Sequence, residues 1–178
     1  MSLLTTSETK NKIAEQVSIA TDTLQIISAF CKVSAVEFID ENIRNTLKEK
    51  KLLVRFLLND IINGATDFSL YEYCKTHGWQ MYIRFDLHAK TYVFDKCRCI
   101  LGSANLTSKG MGFKLHGNYE LSSFAEIDTD DLRKIDCLFD NSILMTEELY
   151  NYMKTEYEEA KIQSSKFTGA TKWSGLIE

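Results

Sequence analysis

The chain has 178 residues, 44% of them hydrophobic and 26% charged, with 8 glycines and no proline. That is enough chain for one domain with a sizeable core, and the composition is that of an ordinary globular protein. A net charge of −4 argues against a protein that coats nucleic acid by bulk charge, and no apolar run is long enough to span a bilayer. The start of the chain has no basic region followed by an apolar stretch, so no secretory signal is expected. Residues 1–3 have the look of a cloning remnant. Five cysteines, an odd number, fit a reduced, cytoplasmic protein better than a disulfide framework.

Residues 7–20 read as a first helix, with Ile13, Val17 and Ala20 on one face. Residues 23–31 are apolar and β-rich, a buried strand. Ser34 and Glu37 have capping-box spacing and predict a helix to about residue 50, striped by Val36, Ile39, Ile43 and Leu47. A second buried strand is expected at 51–58, then a loop with Gly64. Residues 67–77 are helical in pattern, with Gly78 placed to end the helix. Strands follow at 80–87, 88–94 and 98–103, the last two joined by a turn at 95–97, with a further strand at 118–124. Beyond 125 come a short helix at 130–139 and a longer one capped by Thr146, its aromatic residues read as core. This order gives an α/β sandwich around one mixed sheet, a single domain over 1–162 with a polar tail at 163–178.

Within this frame the stretch 87–110 holds most of the chemistry: His88-x-Lys90, four residues, Asp95, six residues, then Gly102-Ser103-x-Asn105. Strand alternation predicts that His88 and Lys90 project together, and Ser103 and Asn105 likewise, around one pocket. A neutral imidazole is a nucleophile near pH 7 and, charged, a proton donor. A lysine with amide and hydroxyl donors can hold non-bridging phosphate oxygens while charge builds at phosphorus. Residues 80–117 carry six basic side chains, Lys109 among them, against two acidic ones. This zone of +4 on a body of −8 suits an anionic substrate held at one place. Cys97-x-Cys99 lacks a second pair at zinc-site spacing and reads as two small apolar residues on one strand face.

The pattern His88-x-Lys90-x4-Asp95-x6-Gly102-Ser103-x-Asn105 resembles the signature of the phospholipase D superfamily without a departure in spacing. Leu106-Thr107, Gly110 and Asn118-Tyr119-Glu120 look like its continuation. The closer likeness is to bacterial phospholipase D-like nucleases, including metal-independent restriction endonuclease catalytic domains. The resemblance implies an α-β-α sandwich and a mechanism in which His88 attacks phosphorus to form a phosphohistidine. Lys90 and Asn105 would bind the non-bridging oxygens with help from Ser103, Lys109 would contact substrate, and Glu120 would orient a histidine. Asp95 belongs to the same motif set, serving local structure or electrostatics more than the chemical step. No cofactor or metal is implied.

Many members of that family carry two motif copies, and this chain carries one. His77 and His116 lie outside any second motif, so the expected solution is a homodimer with two His88 residues at the two-fold axis. The expected function is that of a metal-independent phosphodiesterase acting on DNA more than RNA, with no membrane partner. The alternatives are a phospholipid hydrolase or phosphatidyltransferase, and a catalytically silent nucleic-acid-binding module, for which an intact His88 has no use.

Overall fold

The computed structural model describes residues 2–113 and 116–164. Lys114 of the basic zone lies outside them, as does the expected polar tail except its first two residues, which continue the last helix. In chain order the elements are β1 (Ser2–Thr5), α1 (Thr6–Ile19), β2 (Thr23–Ser28), α2 (Val33–Asn42), β3 (Glu49–Arg55), α3 (Leu58–Ile62) and α4 (Leu70–Thr76). There follow β4 (Gln80–Arg84), β5 (Lys90–Phe94), β6 (Arg98–Gly102), β7 (Leu121–Glu126), α5 (Thr129–Asp140), β8 (Ile143–Leu144) and α6 (Glu147–Ser164). The strands form one mixed sheet in the order β1-β7-β6-β5-β2-β3-β4-β8. β2, β3 and β4 are parallel, and the remaining pairings are antiparallel.

None of the parallel strands is at an edge of the sheet, which lets both of their faces be covered. All six residues of β2 are buried. One face of the sheet carries Leu24, Ile26, Leu52, Val54, Met81, Ile83, Tyr92, Phe94 and Ile100. It packs in one cluster with Ile13 and Val17 of α1, Val36 and Ile39 of α2, Leu70 and Cys74 of α4, and Tyr150 and Met153 of α6. The other face is covered more sparsely: Ile27, Leu53 and Tyr82 meet Leu87 and the α5 residues Ile135, Leu138 and Phe139. Helices therefore lie on both sides, as the α/β sandwich requires, but the cover is lopsided. Among the described residues no helix is long and apolar enough to cross a membrane.

Several local expectations are corrected. The helix expected at 34–50 ends at Asn42, and Lys32, not Ser34, occupies its N-cap position. The Ser34 hydroxyl instead meets that of Ser108 at 3.2 Å. Ile43 turns extended, and Asn45 Nδ2 donates to the Ala20 carbonyl at 2.9 Å, fastening the connection before β3. Ile43 and Leu47 still pack on the core from that connection, so their spacing reported burial and not helix. Leu58 opens α3 where the end of a strand was expected. Ser2 and Leu3, within the stretch read as a remnant, belong to β1, which pairs antiparallel with β7. The short edge strand β8 was not foreseen. Cys97 is exposed in the β5–β6 turn while Cys99 is buried on β6, so the two do not share a face. That three-residue turn has Asp95 and Lys96 at φ 50° and 54°, a left-handed conformation that Asp tolerates.

Candidate active site

Strand direction decides where the motif comes together. β5 runs antiparallel to β2, so the end of β2 lies beside the start of β5, with Ser28 opposite Lys90. The end of β6 returns to the same rim, followed by the start of β7, and β3, parallel to β2, ends there with Arg55. His88, Lys90, Ser103, Asn105 and Glu120 thus converge on one end of the sheet.

The mode of convergence differs from the alternation expected. His88 precedes β5 in an irregular segment, and Ser103 and Asn105 follow β6 in a loop, so period-two alternation covers none of the three. Tertiary hydrogen bonds place them. The Phe30 N–H donates to Asn105 Oδ1 at 3.0 Å. With its oxygen committed, the amide presents Nδ2 as a donor, and among the described residues that nitrogen has no partner. Ser28, fully buried, donates to the Phe30 carbonyl at 2.6 Å and accepts the Leu106 N–H at 2.8 Å, binding the two loops together. Lys90 Nζ donates to the His88 carbonyl at 2.5 Å. The His88 side chain is exposed and its ring has no hydrogen-bond partner among the described residues.

Glu120 is buried, 5% exposed, and accepts hydrogen bonds from the Ser103 hydroxyl and, at 2.9 Å, from Asn118 Nδ2. Within one chain it therefore holds Ser103 and Asn118 and not His88. The Thr6 hydroxyl accepts the Glu120 N–H at 2.8 Å and donates to the Asn118 carbonyl at 3.1 Å, so the start of α1 fixes this segment. The Lys109 side chain is exposed, while its carbonyl accepts the Asn118 N–H at 3.2 Å. Two glycines permit close approach. A Cβ at Gly102 would lie 2.5 Å from the Leu121 carbonyl oxygen, and one at Gly110 2.3 Å from that of Asn105.

Asp95 is elsewhere. It follows the far end of β5, about 16 Å from Lys90 at strand rise. There its carboxylate accepts the N–H groups of Thr21, Asp22 and Thr23 at 3.1, 2.8 and 3.1 Å and pairs with Arg98 at 3.4 Å. It thereby pins the start of β2 to the β5–β6 turn.

Arg55 was not anticipated. Asp60 grips it by two hydrogen bonds, at 2.7 and 3.1 Å, and its guanidinium lies 4.7 Å from the centre of the Phe30 ring. Burial, then the like charge of Arg55, lowers the Lys90 ammonium below the usual lysine value, with Glu120 pulling the other way. The available signal was a charge, Arg55, and a hydroxyl, Ser28, each interrupting an otherwise apolar run. Among the described residues no three His, Cys, Asp or Glu side chains form a group that could hold a metal ion. The arrangement offers an accessible nucleophile beside a cation and a pre-aimed amide donor at a strand rim, which suits chemistry at an anionic, tetrahedral centre.

Comparisons agree with this fold. The family profile described as cardiolipin synthase, PLD-like domain, matches residues 13–143. Nuc from Salmonella typhimurium, a phospholipase D family member, has a similar structure, with TM-score 0.60 and 9% identity over 82% of this chain and 97% of that one. NucT from Helicobacter pylori is similar at TM-score 0.56 and 16% identity, over 81% and 98%. Phosphatidylserine synthase from Haemophilus influenzae Rd KW20 is similar at TM-score 0.63 and 14% identity, over 98% of this chain but 46% of its own. Among curated proteins none matches the sequence. The profile match spans well over half of the chain and contains His88, Lys90, Ser103, Asn105 and Glu120, and the chain belongs to the phospholipase D superfamily.

Proposed function

We propose that the chain is a metal-independent phosphodiesterase, most directly a DNA endonuclease, that works through a covalent phosphohistidine in a site shared by two protomers. The observation that carries this reading is the His88 ring, exposed and without a partner among the described residues, on a rim it shares with Lys90 and with Asn105, whose Nδ2 likewise has no partner among them. An imidazole kept for structure would be packed or hydrogen-bonded.

On this mechanism a neutral ring nitrogen of His88 attacks phosphorus. The P–O bond to the leaving group breaks, and the leaving oxygen takes a proton from the partner's His88. A water molecule then gives a proton to the partner's His88, now neutral, and attacks the same phosphorus. The P–N bond breaks, and both imidazoles return to their starting states. Lys90 and Asn105 hold the non-bridging oxygens throughout, Ser103 supports them under the grip of Glu120, and Lys109 meets the flanking backbone of the substrate. Replacing Asn105 with alanine removes one aimed donor, so kcat is expected to fall by about 10²-fold with DNA binding retained. An unchanged kcat would remove Asn105 from this role.

The direct test is incubation of the full chain with labelled DNA in EDTA. Cleavage is expected, and an absolute need for Mg²⁺ would sink the mechanism. Nuc and NucT, similar in fold, support a nuclease only as an analogy. One observation favours a second reading, turnover of a phospholipid ester: exposed Leu101 and Leu121 border Ser103. Offering phosphatidylglycerol vesicles beside DNA in the same EDTA buffer separates the two.

A further inference from the structure

The rim that carries His88 and Lys90 also holds two arginines, and they are used differently. Arg55 ends β3 and Arg84 ends β4, directly paired in the parallel register. Arg84 is fully engaged. Its Nε and Nη2 donate to Asp86, and its Nη1 donates to the Asn141 carbonyl at 3.2 Å. At Arg55, Asp60 takes only one edge of the guanidinium, through Nε at 2.7 Å and Nη2 at 3.1 Å. Nη1 has no hydrogen-bond partner among the described residues, so the end formed by Nη1 and Nη2 is open. That end is a second fork, shaped to take two oxygens of one phosphate.

The fork is also held still. Its plane lies 4.7 Å from the centre of the half-buried Phe30 ring, and the Asp60 carboxylate that grips it is only 13% exposed. Arg55 itself keeps 21% exposure, which leaves an anion a way in. Phe30 links this fork to the chemistry, because its N–H is the group that aims Asn105.

Lys90 and Arg55 are suited to separate phosphates. Ser28 pairs with Lys90 on one side and with Val54 on the other. The backbones carrying Lys90 and Arg55 are therefore two strand spacings apart, about 10 Å. Each cation is committed to its own partner, Lys90 to the His88 carbonyl and Arg55 to Asp60. Their charges still act on each other: after burial, the like charge of Arg55 helps to hold the Lys90 ammonium below the usual lysine value. Two cations so placed are best satisfied by two anions carried on one molecule. A nucleic-acid strand supplies such a pair at every nucleotide step.

We infer that Arg55, oriented by Asp60 and Phe30, binds the phosphate next to the scissile one, so that the site selects a nucleic-acid strand over a substrate with a single phosphate. The inference rests on the nuclease reading above and adds to it a residue that sets the substrate class.

The test is equilibrium binding, by the full chain in EDTA, of labelled thymidine dinucleotide, with one phosphate, and trinucleotide, with two. It is read on His88→Ala, so that neither ligand is cleaved. The trinucleotide is expected to bind about tenfold or more tightly, the effect of one charge-assisted fork. Adding Arg55→Ala should collapse that preference to the statistical advantage of two phosphates over one. For a longer thymidine strand it should also flatten the slope of log affinity against log salt by about 0.7, one phosphate contact. An arginine that only fastens β3 to α3 would change the melting temperature and move neither quantity. Arg55→Lys keeps a charge beside Asp60 without the fork; it serves if the alanine variant fails to fold, and should lose most of the preference. A preference that survives loss of the fork overturns the proposal. So does equal or absent binding of the two nucleotides by the parent, including a parent that instead prefers cardiolipin to phosphatidylglycerol vesicles through Arg55. Cleavage is assayed separately on the wild-type chain, so the two readings fail apart. An Arg55-dependent preference in a chain that cleaves nothing keeps the phosphate site and removes the nuclease, whereas DNA cleavage with a preference indifferent to Arg55 does the reverse.

Discussion

Replacing His88 with alanine is expected to lower phosphodiester cleavage by about 10⁴-fold or more, the scale seen when a covalent nucleophile is removed. Binding of DNA should change little, because Lys90, Asn105 and Lys109 remain. The exposed side chain has no partner to lose among the described residues, so the melting temperature should also hold, and loss of turnover will not be loss of fold. Mixing sharpens the result. If each site needs an imidazole from both protomers, an equal mixture of wild type and His88→Ala, allowed to exchange, leaves about a quarter of the dimers intact in both. Activity then falls to about a quarter of that of the wild type alone at the same total concentration. Independent sites would leave about half. Full activity of His88→Ala would end the nucleophile assignment, and a mixture at half would end the sharing.

Much of this site was legible because its residues are close in sequence and their spacing is the family's own. The fold class followed from strand and helix runs in order, since burial imposes a period that sequence shows directly. What the sequence did not disclose depends on partners remote along the chain. Alternation gave a plausible reason for His88 and Lys90 to point together, yet His88 lies outside the strand and Asn105 is aimed by the Phe30 backbone, 75 residues away. Arg55 joins the rim because β3 happens to end there, which no local pattern records. Residues 2–5 carry no strong β signal and become a strand only by pairing with β7. In the 34–50 region the helical period of Ile43 and Leu47 was real as burial but false as conformation, because side-chain bonds from Asn45 favoured an extended connection. The uncovered half-face could not be seen either. Leu101 and Leu121 read as ordinary strand leucines until the register placed them on a half-face that no helix among the described residues covers.

The second large effect is expected at Asp95, where the measured quantity should be stability and not turnover. Its carboxylate closes three backbone N–H groups at the start of β2 and pairs with Arg98. The side chain is mostly buried, at 15% exposure, so water cannot fully replace it. Asp95→Ala strands those donors and puts alanine at φ 50°, which only a few residue types adopt without strain. The combined cost is about 2–4 kcal/mol, on the order of 10 °C in melting temperature for a chain of this size. Asp95→Asn keeps a side-chain acceptor and tolerates the left-handed turn, so it should lose only about 1 kcal/mol. Cleavage per folded molecule, assayed well below either melting point, should stay within about twofold of wild type in both variants, since the rim is about 16 Å away. A fall of about a hundredfold in kcat for Asp95→Asn with an unchanged melting curve would return Asp95 to the chemistry. The expected outcome separates the motif into two devices, one that holds the hairpin to the sheet and one that presents His88 and Lys90 at its rim.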